Sequence, residues 1–400
     1  MVGTAFAPHV LSFLLTSAAL GPVPPPPPMP DAGAVAAVPT PPPAPAADNG
    51  AMDFAPYVRT LARVAACAPT GTIPERFDPL VVESHCTQLG ALQEKWRQSW
   101  LTDAKPFLTE VVPKDLPPTV VYPFGGGDLL TALVTFPNAT EITTLSLEPA
   151  GDPRTIDALM PVDLEPMLAE VRDKVNHLFH YGHSKTIDMN KMAKSKLPGD
   201  LTYALVALEM NQLEALSVKF FRIDLTGGLQ YLKGADLGPN GDPRFRRAAF
   251  SNMEIQFAPR EGGSRRVFRH IAANLDDPHL QADPSVLRHL RAKGPVAAMT
   301  KAASYLLWWK QFSQIRNYLL KNMVWMISDS TGVPPDEAAA SGFEQIPYGR
   351  FDGPFLGGGI RPTEVFRKLW AEKAQPLAFR FGYPDIGNHD HLLITRRIAK

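Results

Sequence analysis

Gly125, Gly126 and Gly127 stand together inside the run TVVYPFGGGDLLTALVTFPNATEITTLSLE, residues 119–148. Three missing side chains where a strand turns into a helix expose backbone N–H groups. A helix start adds about half a unit of positive charge, so the position suits an anionic or polar ligand. Asp128 follows directly and can cap the helix, a role that needs no ligand. Glu148 lies 21 residues after Gly127, at the end of the next expected strand. A carboxylate there can accept hydrogen bonds from ribose hydroxyls. Strand, glycine turn, short helix and second strand are the layout of the first half of a nucleotide-binding α/β fold.

Other residues with chemical potential are more scattered. His177, His180 and His183 form HxxHxxH, and Asn388, His389, Asp390 and His391 form a second polar group. A zinc site needs three or four converging ligands, and Gly182 should end the helix before His183 joins the other two. No metal is therefore expected. There is no GxSxG, HExxH or phosphate-loop pattern, and Lys301 with Ser304 is only a faint Ser–Lys arrangement. Asp276, Asp277 and Asp329 each follow an expected strand, where they can line a pocket or form turns.

The 119–148 run resembles the first two motifs of Rossmann-like S-adenosylmethionine-dependent methyltransferases. The late segment LAFRFGYPDIGNHDHLLITRR is similar to the antiparallel pair that ends that fold. The resemblance implies a cofactor held by Gly125, Gly126, Gly127 and Asp128, with Glu148 on the ribose. Tyr122, Pro123 and Phe124 stand where that family usually carries an acidic residue before its glycines. This departure implies a site that has kept the loop and lost the usual chemistry. The strings VVYPFGGGDLLTAL, FPNATEITTLSLEPAGDPR and KAASYLLWWKQFSQIRN also resemble a group of uncharacterised exported bacterial proteins, a resemblance that implies no activity.

The elements that must hold these residues follow from pattern. Helices are expected at 57–67, 85–101, 164–179, 201–212, 295–321 and 362–373. Hairpins are expected around Thr226–Gly228 and Arg260–Gly263. Strands are expected at 323–328, 377–383 and 391–396, the last two pairing antiparallel. The Tyr305, Trp308, Trp309, Phe312, Ile315 and Leu319 stripe reads as core on the 295–321 helix.

Composition bounds the rest. The 400 residues carry 40 Lys/Arg and 40 Asp/Glu, so no global field recruits nucleic acid. Between Asp242 and Lys293 ten basic residues face six acidic ones, which reads as solvated turns. Residues 1–21 hold an apolar stretch and small residues but no Lys or Arg, as in a secretory signal with a weak charged end. If this is not a signal, the protein is cytoplasmic. Pro22 to Pro45 contains twelve prolines, a tract that favours extended polyproline II. Cys67 and Cys86 are 19 residues apart. They are either a disulfide, consistent with export, or two buried thiols.

The expected fold is α/β: a Rossmann-like mixed sheet with inserted antiparallel hairpins and a helical N-terminal segment. Its parts are a signal at 1–21, a disordered Pro/Ala-rich linker at 22–51, the helical segment at 52–118 and the α/β domain at 119–400. The hairpins occupy about 215–275. The expected function is an exported, periplasmic or envelope-associated protein binding a small molecule, with envelope components as partners. No membrane span is expected in the mature chain. The alternatives are an S-adenosylmethionine-dependent methyltransferase and a non-catalytic envelope scaffold.

Overall fold

The structure, a computed structural model, describes residues 50–183, 197–237, 248–354 and 364–398. The chain separates into residues 1–41 and 42–400, and everything described belongs to the second unit. The signal segment and nearly all of the linker lie outside the described residues, as do Arg244, Arg246 and Arg247 of the basic stretch.

Three helices lead: α1 (Ala55–Ala65), α2 (Pro79–Trp96) and α3 (Thr102–Val111). Helix α2 starts earlier than expected because Pro79 occupies its first position and the Asp78 side chain accepts from the Leu80 N–H at 2.9 Å. It also ends earlier. A π turn at Arg97–Leu101, closed by the Thr102 N–H on the Arg97 carbonyl, separates it from α3. The Cys67–Cys86 disulfide joins the end of α1 to α2, with Cα atoms 5.5 Å apart.

The remaining elements are β1 (Thr119–Pro123), α4 (Leu129–Thr135), β2 (Glu141–Ser146), α5 (Leu164–Tyr181), α6 (Gly199–Met210), β3 (Leu213–Ile223) and β4 (Leu229–Tyr231). Then come β5 (Asn252–Pro259), β6 (Arg266–Ala272), α7 (Asp277–Ala282), α8 (Ser285–Ala292), β7 (Val296–Thr300), α9 (Ser313–Asn322) and β8 (Met323–Ser328). Helix α10 (Pro335–Ala340), β9 (Phe343–Gly349), α11 (Glu364–Lys373) and β10 (His391–Arg397) complete the set. The ten strands form one mixed sheet in the order β4-β3-β5-β6-β2-β1-β7-β8-β10-β9. Strands β6, β2, β1, β7 and β8 run parallel, and antiparallel strands extend the sheet on both sides. The fold is thus α/β with a mixed sheet.

Side-chain alternation explains why the central strands read as unbroken apolar runs. Val120, Ile142, Ala297 and Trp325 face a core shared with α1 to α6. Val121, Leu145, Ala298 and Met326 face a second core shared with α7, α8 and α9. Both faces are covered, as a parallel sheet requires. The helical segment before β1 is part of the first core, through Val58, Leu61, Leu89 and Leu108.

Two expected elements differ. Residues 295–321 are not one helix: β7 comes first, then a loop and two 3₁₀ turns, then α9. Val296–Thr300 is short and apolar, a pattern that periodicity cannot assign, and insertion between β1 and β8 makes it a strand. Ala302, Ser304 and Tyr305 then adopt positive φ, which stops any helix. Residues 377–383 are likewise not a strand. β10 instead lies between β8 and β9, antiparallel to both, and pairs with β9 in register from His391 with Gly349 to Arg397 with Phe343. Both hairpins around Thr226–Gly228 and Arg260–Gly263 form, and β6 of the second also pairs parallel with β2.

Closing a loop of this length by the Cys67–Cys86 bond contributes about 3 kcal/mol on the chain-entropy estimate. A Cys67→Ser, Cys86→Ser double variant should therefore unfold at a clearly lower urea concentration than the oxidised wild type. Coincident denaturation curves would contradict this.

Candidate functional site

The carboxyl ends of β1, β2, β6, β7 and β8 gather at one edge of the sheet. The chain steps from β1 through β2 to β6 in one direction and through β7 to β8 in the other, so order reverses between β1 and β7. In open α/β sheets such a reversal opens a crevice at the carboxyl edge. Here the glycine turn after β1 and the strained 301–305 loop after β7 flank the point of reversal.

The glycines are accounted for by packing. A Cβ on Gly125 would lie 2.7 Å from the Tyr122 ring, and one on Gly127 would lie 2.7 Å from the Tyr203 ring. Gly126 adopts φ +49°. The Gly125 N–H donates to the Leu145 carbonyl at 3.1 Å. Phe124, also at positive φ, turns its ring onto Phe312 at 5.8 Å in the second core.

Asp128 does cap α4: its side chain accepts from the Thr131 N–H at 3.3 Å and the Thr131 hydroxyl at 2.8 Å. It also accepts from the Tyr122 hydroxyl at 3.0 Å and sits 2.7 Å from the Lys301 ammonium. Lys301 donates in turn to the Thr131 hydroxyl at 2.7 Å. Both charged side chains are at most 2% exposed. Burial, then the Asp128 charge, pushes the Tyr122 hydroxyl well above the ordinary tyrosine range. Lys301 and Ser304 do not share a site, because Ser304 turns to the Tyr383 hydroxyl at 3.2 Å.

Glu148 lies two residues beyond β2 and is buried. Its carbonyl accepts from His270 Nε2 at 2.8 Å. A carbonyl can only accept, so Nε2 carries a proton. Asp200, at the start of α6, lies 3.0 Å from the same nitrogen. Because the N–H is directed at the Glu148 carbonyl, Asp200 is in charge contact without an aligned hydrogen bond. Asp200 Oδ1 and Oδ2 and Glu148 Oε1 are buried without a hydrogen-bond partner among the described residues. Burial raises the Asp200 carboxyl against the pull of His270, and the Glu148 charge raises it further. Burial opposes charge on His270, but the Asp200 attraction prevails and its pKa is raised.

Asp329 is a further buried acid at this edge. It accepts from the Ala302 and Tyr383 N–H groups, each at 2.9 Å, and from the Thr331 N–H at 2.8 Å. It thereby holds three loops together. A Cβ on Gly382 would lie 2.0 Å from its Oδ2, so glycine is required there. Asp276 and Asp277 are structural: one caps α7, and the other accepts from the Ser313 hydroxyl and the Gln314 N–H at the start of α9.

The histidine groups remain apart in role. His177 and His180 lie on α5, Gly182 ends that helix at φ +70°, and His183 Nδ1 meets the Tyr181 carbonyl at 3.0 Å. Among the described residues no group of three or more His, Cys, Asp or Glu side chains is placed to hold a metal ion. Sequence reasoning singled out neither His270 nor Asp200. The available hint was a polar residue, Thr144 or His270, on strands buried on both faces; register sets these two side by side.

Lys301→Met should leave Asp128 buried and uncompensated, costing about 3–5 kcal/mol in urea unfolding. Adding Asp128→Asn should recover a large part of that loss, and a double variant no better than the single would refute the pairing. For His270, the raised folded pKa means its stabilisation is complete below about 6.5 and lost as pH rises through the folded value. In Asp200→Asn the largest attraction opposing burial is gone and only the Glu148 carbonyl and charge remain to oppose it, so the folded pKa of His270 is lower than in the wild type. The stability difference between wild type and Asp200→Asn should therefore shrink as pH rises above 6.5, and a difference that grows would overturn the assignment. Comparison with protein-family models, curated proteins and solved structures finds no match to this chain.

Proposed function

We propose that this is an exported protein whose α/β domain binds a small polar molecule at the carboxyl edge of its sheet, beside Glu148. The observation that carries the reading is the buried, unpartnered Glu148 Oε1 next to Asp200. Buried acceptors without donors are costly, and a ligand rich in hydroxyl or N–H groups would satisfy them. Glu148 occupies the place of the ribose-binding acid in the methyltransferase resemblance, which favours a nucleoside-like or polyol ligand. With Tyr122 and Tyr203 filling the space beside Gly125 and Gly127, the loop favours binding without the usual cofactor chemistry. The Cys67–Cys86 bond supports export. Among the described residues no helix is long and apolar enough to cross a membrane.

An S-adenosylmethionine-dependent methyltransferase is the second reading. The antiparallel β9–β10 pair at one edge of the sheet and the acid just beyond β2 favour it.

Thermal unfolding with S-adenosylmethionine, adenosine and simple polyols separates the readings. A ligand at a hundred times its dissociation constant adds about 2.7 kcal/mol, a shift of several degrees. We expect such a shift with at least one nucleoside or polyol, abolished by Glu148→Ala. Methyl transfer to any acceptor would favour the enzyme. No shift with any of them, together with unchanged stability of a Phe124→Ala, Glu148→Ala double variant, would remove both pocket readings and leave a scaffold.

A further inference from the structure

A concavity lies away from the carboxyl edge of the sheet, between α2, α5 and the segment that leads into β10. It encloses about 420 Å³, within the range of small-molecule sites. Its apolar side is aromatic. The π turn at Arg97–Leu101 places Trp100 against Trp96 at 5.1 Å with planes 18° apart, and Phe179 stacks on Trp96 at 5.6 Å. Trp96 is thereby packed against both neighbours and is only 7% exposed, so the half-buried Phe179 ring is the aromatic surface left open to the cleft.

Its polar side is cationic and held in place. The Arg380 carbonyl accepts from the Trp100 indole N–H at 2.7 Å. The Arg380 Nη1 donates to the His180 carbonyl at 2.7 Å, and its Nε lies 3.7 Å from Asp390. The side chain is 47% exposed, yet it is fixed at backbone and guanidinium alike. An exposed arginine ordinarily keeps much of its rotamer freedom. Here much of that freedom is already lost before any ligand arrives, which is how preorganised sites gain affinity. Lys95 lines the same cleft, and among the described residues neither its ammonium nor the Arg380 Nη2 has a hydrogen-bond partner. Against these two cations stands one acid, Asp390, already beside Arg380.

We propose that this cleft is a binding site for a small organic anion with a flat apolar body, an aryl carboxylate or aryl phosphate, clamped by Arg380 and Lys95 against the half-buried Phe179 ring. The anion takes the Nη2 donor of Arg380 and the Lys95 ammonium, and the ring lies on the aromatic wall. None of these residues belongs to the Glu148 group, so the site stands or falls independently of the function proposed above.

The test is titration of the oxidised protein with benzoate, phenyl phosphate, benzamide and inorganic phosphate, followed by calorimetry and tryptophan fluorescence. Saturable binding of benzoate or phenyl phosphate is expected, and the tighter of the two identifies the anion. Benzamide lacks the charge and inorganic phosphate lacks the ring, so each should bind at least about tenfold more weakly. Arg380→Gln, an exposed change whose folding is checked by its thermal midpoint, should weaken the anions by a similar factor. Lys95→Gln should weaken them less. Absence of saturable binding by both aryl anions at millimolar concentration would overturn the proposal. So would equal binding of benzamide, or anion affinity unaltered in a folded Arg380→Gln variant.

Discussion

Asp128 and Lys301 meet where the order of the sheet reverses, and their contact at 2.7 Å fills that point of the carboxyl edge with a buried ion pair. One comes from the glycine turn after β1 and the other from the end of β7. Taking two charges out of water costs several kcal/mol per ion, and only close pairing with further hydrogen bonds offsets it. Tyr122 and Thr131 supply those bonds. The pair therefore closes the space that a cofactor loop would leave open, and it ties the two diverging halves of the sheet together. Phe381 packs near the Lys301 ammonium at 5.6 Å and completes the enclosure.

The other acids of the same edge divide into satisfied and unsatisfied. Asp329 takes backbone donors from three loops and leaves nothing for a ligand. It also helps explain why Ala302, Ser304 and Tyr305 tolerate positive φ, a strained state that persists only where surroundings over-determine it. Glu148 and Asp200 are the contrast, with buried acceptor oxygens that His270 does not fully serve. Polar groups left in this condition are where a ligand gains most.

The helical segment before β1 is more than a leader to the sheet. Its apolar residues share the first core, its disulfide fixes α1 to α2, and its π turn builds one wall of the aromatic cleft. The cleft draws its other wall from α5 and from residues far along the chain, so it exists only when all three are assembled.

The sequence by itself determined the local elements. β-Branched and apolar runs marked β1, β2 and β8, glycine pairs marked both hairpins, Asp128 marked a helix cap, and Gly182 marked a helix end. It also placed Cys67 and Cys86 close enough to leave the bond open as a choice. Tertiary structure decided everything that depends on distant partners. Val296–Thr300 became a strand because two strands flank it, and β10 paired with β9 because the 377–383 segment was drawn into the cleft and loops instead. His270 reached Glu148 and Asp200 through strand register and a helix start some 70 to 120 residues away in the chain. The meaning of Gly125 to Gly127 changed most. Their spacing marks a turn that lets something come close to the backbone, and only the folded chain shows that Tyr122 and Tyr203 come close there, because a glycine records the space it frees and not what fills it.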